Sequence, residues 1–245
     1  MIHKSYLIEQ DIKKIDGGIS LFYGENLGLI NDFKELIRKY NNKSEVIRFN
    51  EEEIIKKNII FFREISSDSL FNEKKVIFID QASDKILDLI QEVEKIDVRE
   101  SIYLFSSTLE KKSKLRAFFE KSDKYNIVPC YEDNEATLKK IILQNLKDFK
   151  GVTTENINLI IDNCSSNRTK LKNELAKIKS FFHDKILNTA KIEKLLNIKT
   201  NEDFDKLKDA ALLGNRKGTN KLLSDTILET EKNIFYLNSI NQRLG

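Results

Sequence analysis

Residues 19–31 read Ile-Ser-Leu-Phe-Tyr-Gly-Glu-Asn-Leu-Gly-Leu-Ile-Asn, and the reading of this stretch decides the fold. Ile19 to Tyr23 is a short apolar run closed by Gly24. The segment behind it carries Leu29, Ile30, Phe33, Leu36, Ile37 and Tyr40 at three- and four-residue spacing, the period of an amphipathic helix. A strand, a turn and a helix in this order predict the opening step of an α/β domain. In that setting the turn is where a phosphate-binding loop would stand, with a Gly-rich backbone around the phosphates and a Lys followed by Ser or Thr for the nucleotide and its magnesium. Gly24 and Gly28 are present, but Leu29 and Ile30 occupy the places of the second glycine and the lysine, and Asn31 that of the hydroxyl residue. The turn therefore lacks the positive charge that phosphoryl transfer requires. The expected fold is a nucleotide-binding one without a working nucleotide site.

Outward from this stretch the alternation continues. Val46 to Phe49 reads as a second strand, followed by Asn50 as an N-cap and by Glu51, Glu52 and Glu53 in a first helical turn, where the helix dipole favours negative charge. Val76 to Ile79 is a third strand, Ile86 to Ile96 a helix, Ser101 to Phe105 a fourth strand, Leu109 to Lys121 a helix and Tyr125 to Val128 a fifth strand. Strands alternating with helices imply right-handed crossovers and a parallel sheet covered on both faces. The third strand ends in Asp80, where such a fold would place a magnesium ligand. Gln81 follows it rather than an acidic base, and an Asp at a strand end is also an ordinary turn former.

The character changes after Pro129, the only proline. Helical periodicity without strands runs through Leu138, Ile141, Ile142 and Phe149, stops at Gly151 and restarts from Thr153 or Thr154. Further stripes follow at Ile157, Ile160 and Ile161, and at Leu171, Leu175, Ile178 and Phe182. A helical domain of about 65 residues fits this stretch. After Thr200 come Leu207, Ala210, Ala211 and Leu213, a break at Gly214, and then Leu222, Leu223, Ile227, Ile234 and Leu237. The pattern is still running at Gly245, as in a third domain that is cut off.

Composition excludes several classes. Hydrophobic residues at 40%, charged residues at 33% and 15 Phe in 245 residues are those of a globular chain, large enough for two domains. Lys+Arg 42 against Asp+Glu 39 leaves +3, too little to argue by itself for nucleic acid or an anionic membrane. No stretch is apolar for long enough to cross a bilayer, so no membrane is expected and the protein reads as cytoplasmic. Cys130 and Cys164 are far apart, against both a zinc module and a disulfide framework. His3 and His183 are remote from each other and read as surface residues rather than a catalytic base or metal ligand. The stretch 107–124 holds six basic and three acidic residues, the balance of a solvated helix face more than of a phosphate-binding one.

One connection stands out. Between a helical pattern ending at Ser66 and the third strand lies Ser-Asp-Ser-Leu-Phe-Asn-Glu-Lys, residues 67–74, with Leu70 and Phe71 set between polar runs. The pair either folds back as a plug under its own loop or anchors the chain in a partner's pocket. Burial of both in a partner would contribute on the order of 3 to 6 kcal/mol before the costs of association, which suits a reversible grip.

Taken together, Leu21 to Ile30 (LFYGENLGLI), Ser67 to Asp80 (SDSLFNEKKVIFID), Ser106 to Glu120 followed by Ile127 to Glu135, and Asn167 to Ile178 (NRTKLKNELAKI) resemble, in content and order, the delta subunit of bacterial DNA polymerase III, the clamp-loader member that opens the sliding clamp. The resemblance implies an AAA+ fold, with an α/β domain over residues 1–133, a helical lid over 134–203 and the start of a helical collar over 204–245. It implies no catalytic or ATPase activity and no cofactor, in keeping with the degenerate loop at Gly24, Gly28, Leu29, Ile30 and Asn31. The implied partners are the sliding clamp, the other loader subunits in a hetero-pentamer and, through that assembly, primer-template DNA. Leu70 and Phe71, with Ser69 before them, inherit the role of entering a pocket on the clamp. An apolar residue commonly precedes the serine in the family, whereas Asp68 stands there in this chain. Two competing readings are an active ATPase with an atypical phosphate loop and a helical adaptor with no clamp partner.

Overall fold

The computed structural model describes residues 1–66, 75–96, 100–196, 202–225 and 233–244. They form two units: residues 1–145 with 164–175, and residues 146–163 with 176–245.

The first unit is built on a five-stranded sheet. A short helix α1 (Ser5–Gln10) and a 3-10 turn (Ile12–Ile15) precede β1 (Ile19–Tyr23) and α2 (Leu27–Tyr40). Then come β2 (Glu45–Asn50), α3 (Glu51–Lys56), α4 (Asn58–Ser66), β3 (Lys75–Asp80), α5 (Leu87–Val93), β4 (Ser101–Ser106), α6 (Lys114–Lys121), β5 (Asn126–Pro129) and α7 (Glu135–Asn145). The strand order is β2-β3-β4-β1-β5 and every pairing is parallel, as the alternation predicts. The first residues cover the β5 edge: the Ile127 amide donates to the Met1 carbonyl at 3.0 Å, and the His3 amide to that of Ile127 at 2.9 Å.

Period-two alternation sorts the strand residues onto two cores. Leu21, Tyr23, Ile77, Ile79, Ile102, Leu104 and Ile127 meet Ile54, Phe61, Ile65, Ile90, Leu115 and Phe119 of α3 to α6 on one face. Phe22, Val76, Phe78, Tyr103, Phe105 and Val128 meet Ile8, Leu29, Phe33 and Ile37 on the other. Phe22 lies 4.9 Å from Phe33 and 5.4 Å from Phe105, centroid to centroid, a spacing at which aromatic pairs add to burial.

Two helices depart from the periodicity. The helix expected from Leu109 begins only at Lys114, because Ser113 caps it by accepting from the Arg116 amide at 3.2 Å while Leu109 is tucked into the core ahead of it. The helix expected over 86–96 is a 3-10 turn (Asp84–Ile86) running into α5, which ends at Val93. Asn50 stands at the N-cap of α3 as expected, and its amide donates to Glu53 Oε2 at 3.2 Å.

The remaining helices are α8 (Thr154–Cys164), α9 (Arg168–Phe181), α10 (Thr189–Leu195), α11 (Glu202–Leu212), α12 (Arg216–Asp225) and α13 (Asn233–Leu244). Thr153 caps α8, its hydroxyl accepting from the Asn156 amide at 3.2 Å. In the last three helices the buried set is Phe204, Leu207 and Tyr236, with Leu222 and Ile240 against it. Leu213, Ile234 and Leu237, expected on that face, are 84%, 75% and 67% exposed instead. Leu213 falls one residue past the end of α11, and Tyr236 takes the inward register of α13. Ile227 lies outside the described residues. Among the described residues no helix is long and apolar enough to cross a membrane.

Candidate functional site

The sheet order places β1 between β4 and β5, and beside its turn a crevice opens at the C-terminal ends of β3 and β4, where open α/β sheets take their ligands. Gly24 has φ +147°, and a Cβ there would stand 2.1 Å from the Cys130 carbonyl oxygen, so the turn closes directly on the strand end. Several of its backbone donors are engaged within the protein. The Gly24 amide donates to the Ser107 carbonyl at 3.2 Å, that of Asn26 to the Cys130 carbonyl at 3.1 Å, and that of Ile30 to the Asn26 carbonyl at 3.1 Å. The Leu29 amide donates to Asn26 Oδ1 at 3.0 Å, an N-cap that takes up a group an anion would otherwise meet. Leu29 and Ile30 are buried in the core behind the turn, and Asn31 lines the crevice.

The crevice itself is a cavity of about 790 Å³ with Ile30, Asn31, Lys34, Asp80, Ser106 and Thr108 among its walls. Asp80 is paired from within: Lys34 Nζ lies 2.5 Å from its Oδ1 and 4.6 Å above the Phe105 ring. Lys34 stands one helical turn beyond Ile30, so α2 directs its cation at Asp80 rather than at the turn. The periodicity of α2 held this signal, as Lys34 lies at i+4 from the residue in the lysine's place. Beside them Asn50 Nδ2 donates to Gln81 Oε1 at 3.1 Å, and buried Glu51 accepts from the Ser83 amide and hydroxyl at 2.6 and 2.9 Å.

A second charged group gathers at the start of α2. Arg168, its side chain 4% exposed, places Nη2 2.7 Å from Glu9 Oε1 and Nε 3.4 Å from Asp32 Oδ2 and 3.5 Å from Asp133 Oδ2. Asp133 Oδ2 also accepts from Asn26 Nδ2 at 2.8 Å, linking the guanidinium to the α2 cap. Lys172, one turn on, pairs with Asp32. Nothing in the sequence flagged Arg168 by spacing, because its three carboxylate neighbours come from three separate segments.

Ser69, Leu70 and Phe71 lie outside the described residues. The elements on either side of them are described. Lys75, at the start of β3, reaches back to α4, its Nζ 3.1 Å from Glu64 Oε2, and its amide donates to Glu100 Oε2 at 2.9 Å. Nearby Ile55, Ile59 and Ile60 are 46%, 72% and 45% exposed. Cys130 is buried, and burial pushes its thiol far above the ordinary range. His3 bonds Asn126 through Nε2 at 2.8 Å, and His183 is exposed. Among the described residues no three His, Cys, Asp or Glu side chains gather as a metal site.

A five-stranded parallel sheet in this order, with helices on both faces, is an AAA+-like α/β fold. No protein-family model matches the chain. A curated relative from Rickettsia prowazekii (strain Madrid E), described as a probable DNA polymerase III subunit delta, is 23% identical over 166 residues, 67% of this chain and 50% of the relative. Among solved structures the DNA clamp loader delta protein of Bacillus subtilis superposes with a TM-score of 0.57 at 14% identity, over 91% of this chain and 73% of that one. The Holliday junction branch migration motor RuvB of Thermotoga maritima superposes with a TM-score of 0.50 at 16% identity, over 86% of this chain and 74% of that one. The chain thus resembles the delta subunit of bacterial DNA polymerase III, as its motifs indicated, and it spans about half the length of the curated relative it matches.

Proposed function

We propose that the chain works in a bacterial DNA polymerase III clamp loader as a delta-type subunit. In this reading it grips the sliding clamp through Leu70 and Phe71, with Ser69 beside them, and favours an open ring for loading onto primed DNA. Residues 1–133 would be the clamp-binding domain, 134–203 a lid and 204–245 the first part of a collar joining the other loader subunits in the cytoplasm. The observation that carries the reading is a sequence relative bearing the delta name together with an apolar Leu-Phe pair between α4 and β3. Lys75 ties β3 to Glu64 of α4, the kind of fixed base from which a short segment can transmit force.

The pair would act by differential binding. A ligand shifts a two-state equilibrium only by its difference in affinity for the two states, so the contact must be stronger on the open clamp than on the closed one. The chain needs no nucleotide of its own for this. The engaged amides of the β1–α2 turn and the internal partner of Asp80 support that view.

The competing reading, an ATPase with an atypical loop, draws on the 790 Å³ cavity beside Asp80. Calorimetric titration with ATP and magnesium separates the two: the delta reading predicts no saturable heat, and saturable binding would overturn it. Gel filtration with the clamp from the same source tests the partner. Co-migration is expected, and independent elution would favour an adaptor without a clamp partner.

A further inference from the structure

We propose that Arg168 is a built-in latch that holds the first turns of α9 against the N-terminus of α2 by charge, at the place where a phosphate would otherwise be received. This goes beyond the clamp reading and rests on only one part of it, that the β1–α2 turn carries no nucleotide.

The geometry is specific to a latch. Arg168 draws carboxylates from α1 (Glu9), from α2 (Asp32) and from the stretch after β5 (Asp133), and through Asp133 it reaches the Asn26 cap. Gly28 makes the approach possible: a Cβ there would lie 2.8 Å from Arg168 Cβ and 3.0 Å from the Thr169 amide nitrogen. Arg168 Nε and Nη1 are buried without a hydrogen bond, so the guanidinium is held by ion pairing more than by saturated hydrogen bonding. Its burial is tolerable only while the carboxylates stay in place. Counting Lys172, two cations face Glu9, Asp32 and Asp133, and Glu25 and Glu132 line the small cavity beside them. An incoming phosphate would meet this excess of negative charge. The arrangement therefore joins the first turns of α9 to the start of α2 without a ligand and keeps the join indifferent to nucleotide.

Cys164 reports on the latch. Cys164 is fully buried four residues before Arg168, and Cys130 is fully buried at the end of β5. Native-state labelling by a small thiol reagent, read at each cysteine by mass spectrometry, measures local opening. Arg168→Met should speed labelling of Cys164 at least about tenfold at a temperature well below the Tm of the variant. Gly28→Ala should do the same, although alanine in place of a helical glycine ordinarily stabilises, because the added methyl forces α9 away. Labelling of Cys164 unchanged in both variants, or accelerated only where the variant unfolds as a whole, would overturn the latch. Millimolar ATP should leave the wild-type rates alone. Protection of Cys164 by ATP would overturn the ligand-independence, and with it the nucleotide-free reading of the turn, whereas loss of clamp binding alone would leave the latch standing.

Discussion

At the scale of single residues, the polar groups around the β1–α2 crevice pair within the chain. Asp80 has Lys34, the α2 N-terminus has Asn26, and Asp133 stands between that cap and Arg168. Lys34 and Asp80 are 18% and 30% exposed, so their pair is only partly screened by solvent. Lys34→Met should cost about 1–3 kcal/mol by leaving the carboxylate without its cation. Adding Asp80→Leu should recover part of the loss, a coupling that a double-mutant cycle in urea would read. Additive losses would mean that the two side chains do not act together. Gly24→Ala should be worse, on the order of 3 kcal/mol, since it combines an unfavourable φ with a Cβ placed on the Cys130 carbonyl.

At the scale of elements, α6 shows what periodicity reveals and what it hides. A helix ending at Lys121 was legible, but its start was not. It is set by Ser113 and by Asp84, which comes from a distant turn to accept from the Ser113 hydroxyl at 2.6 Å and from the Leu115 and Lys114 amides at 3.0 and 3.1 Å. These bonds, the one from Ser113 first, hold the Asp84 carboxyl below the usual carboxylate range. Because the folded-state value is depressed, the stabilisation is present above the ordinary carboxylate range and fades as pH falls through the folded value. Asp84→Asn should therefore lower the Tm at neutral pH, by the equivalent of about 1 kcal/mol for a lost cap, and the gap to wild type should close in acid. A gap that persists at low pH would assign the effect to packing instead. The same limit explains the last three helices: Tyr236 rather than Ile234 or Leu237 faces inward, and spacing alone could not choose among the registers.

At the scale of the whole molecule, the sheet was the most legible part, because β1, β3, β4 and β5 are near-continuous apolar runs bounded by turns, the signature of strands buried on both faces. The charge hub on Arg168 was not legible, since no short-range pattern announces that Glu9 and Asp32, each more than a hundred residues away, converge on it. The mechanical reading makes the α/β unit a rigid carrier, with its ion pairs internal and its gripping pair on the segment between α4 and β3. The affinity of the chain for the sliding clamp of its own source, measured by surface plasmon resonance for wild type and for Leu70→Ala/Phe71→Ala, tests this claim most directly. The account predicts that the double variant loses at least about 3 kcal/mol of binding, more than a hundredfold in Kd, with an unchanged Tm. Retained affinity, or a Tm loss matching that of two core truncations, would contradict it.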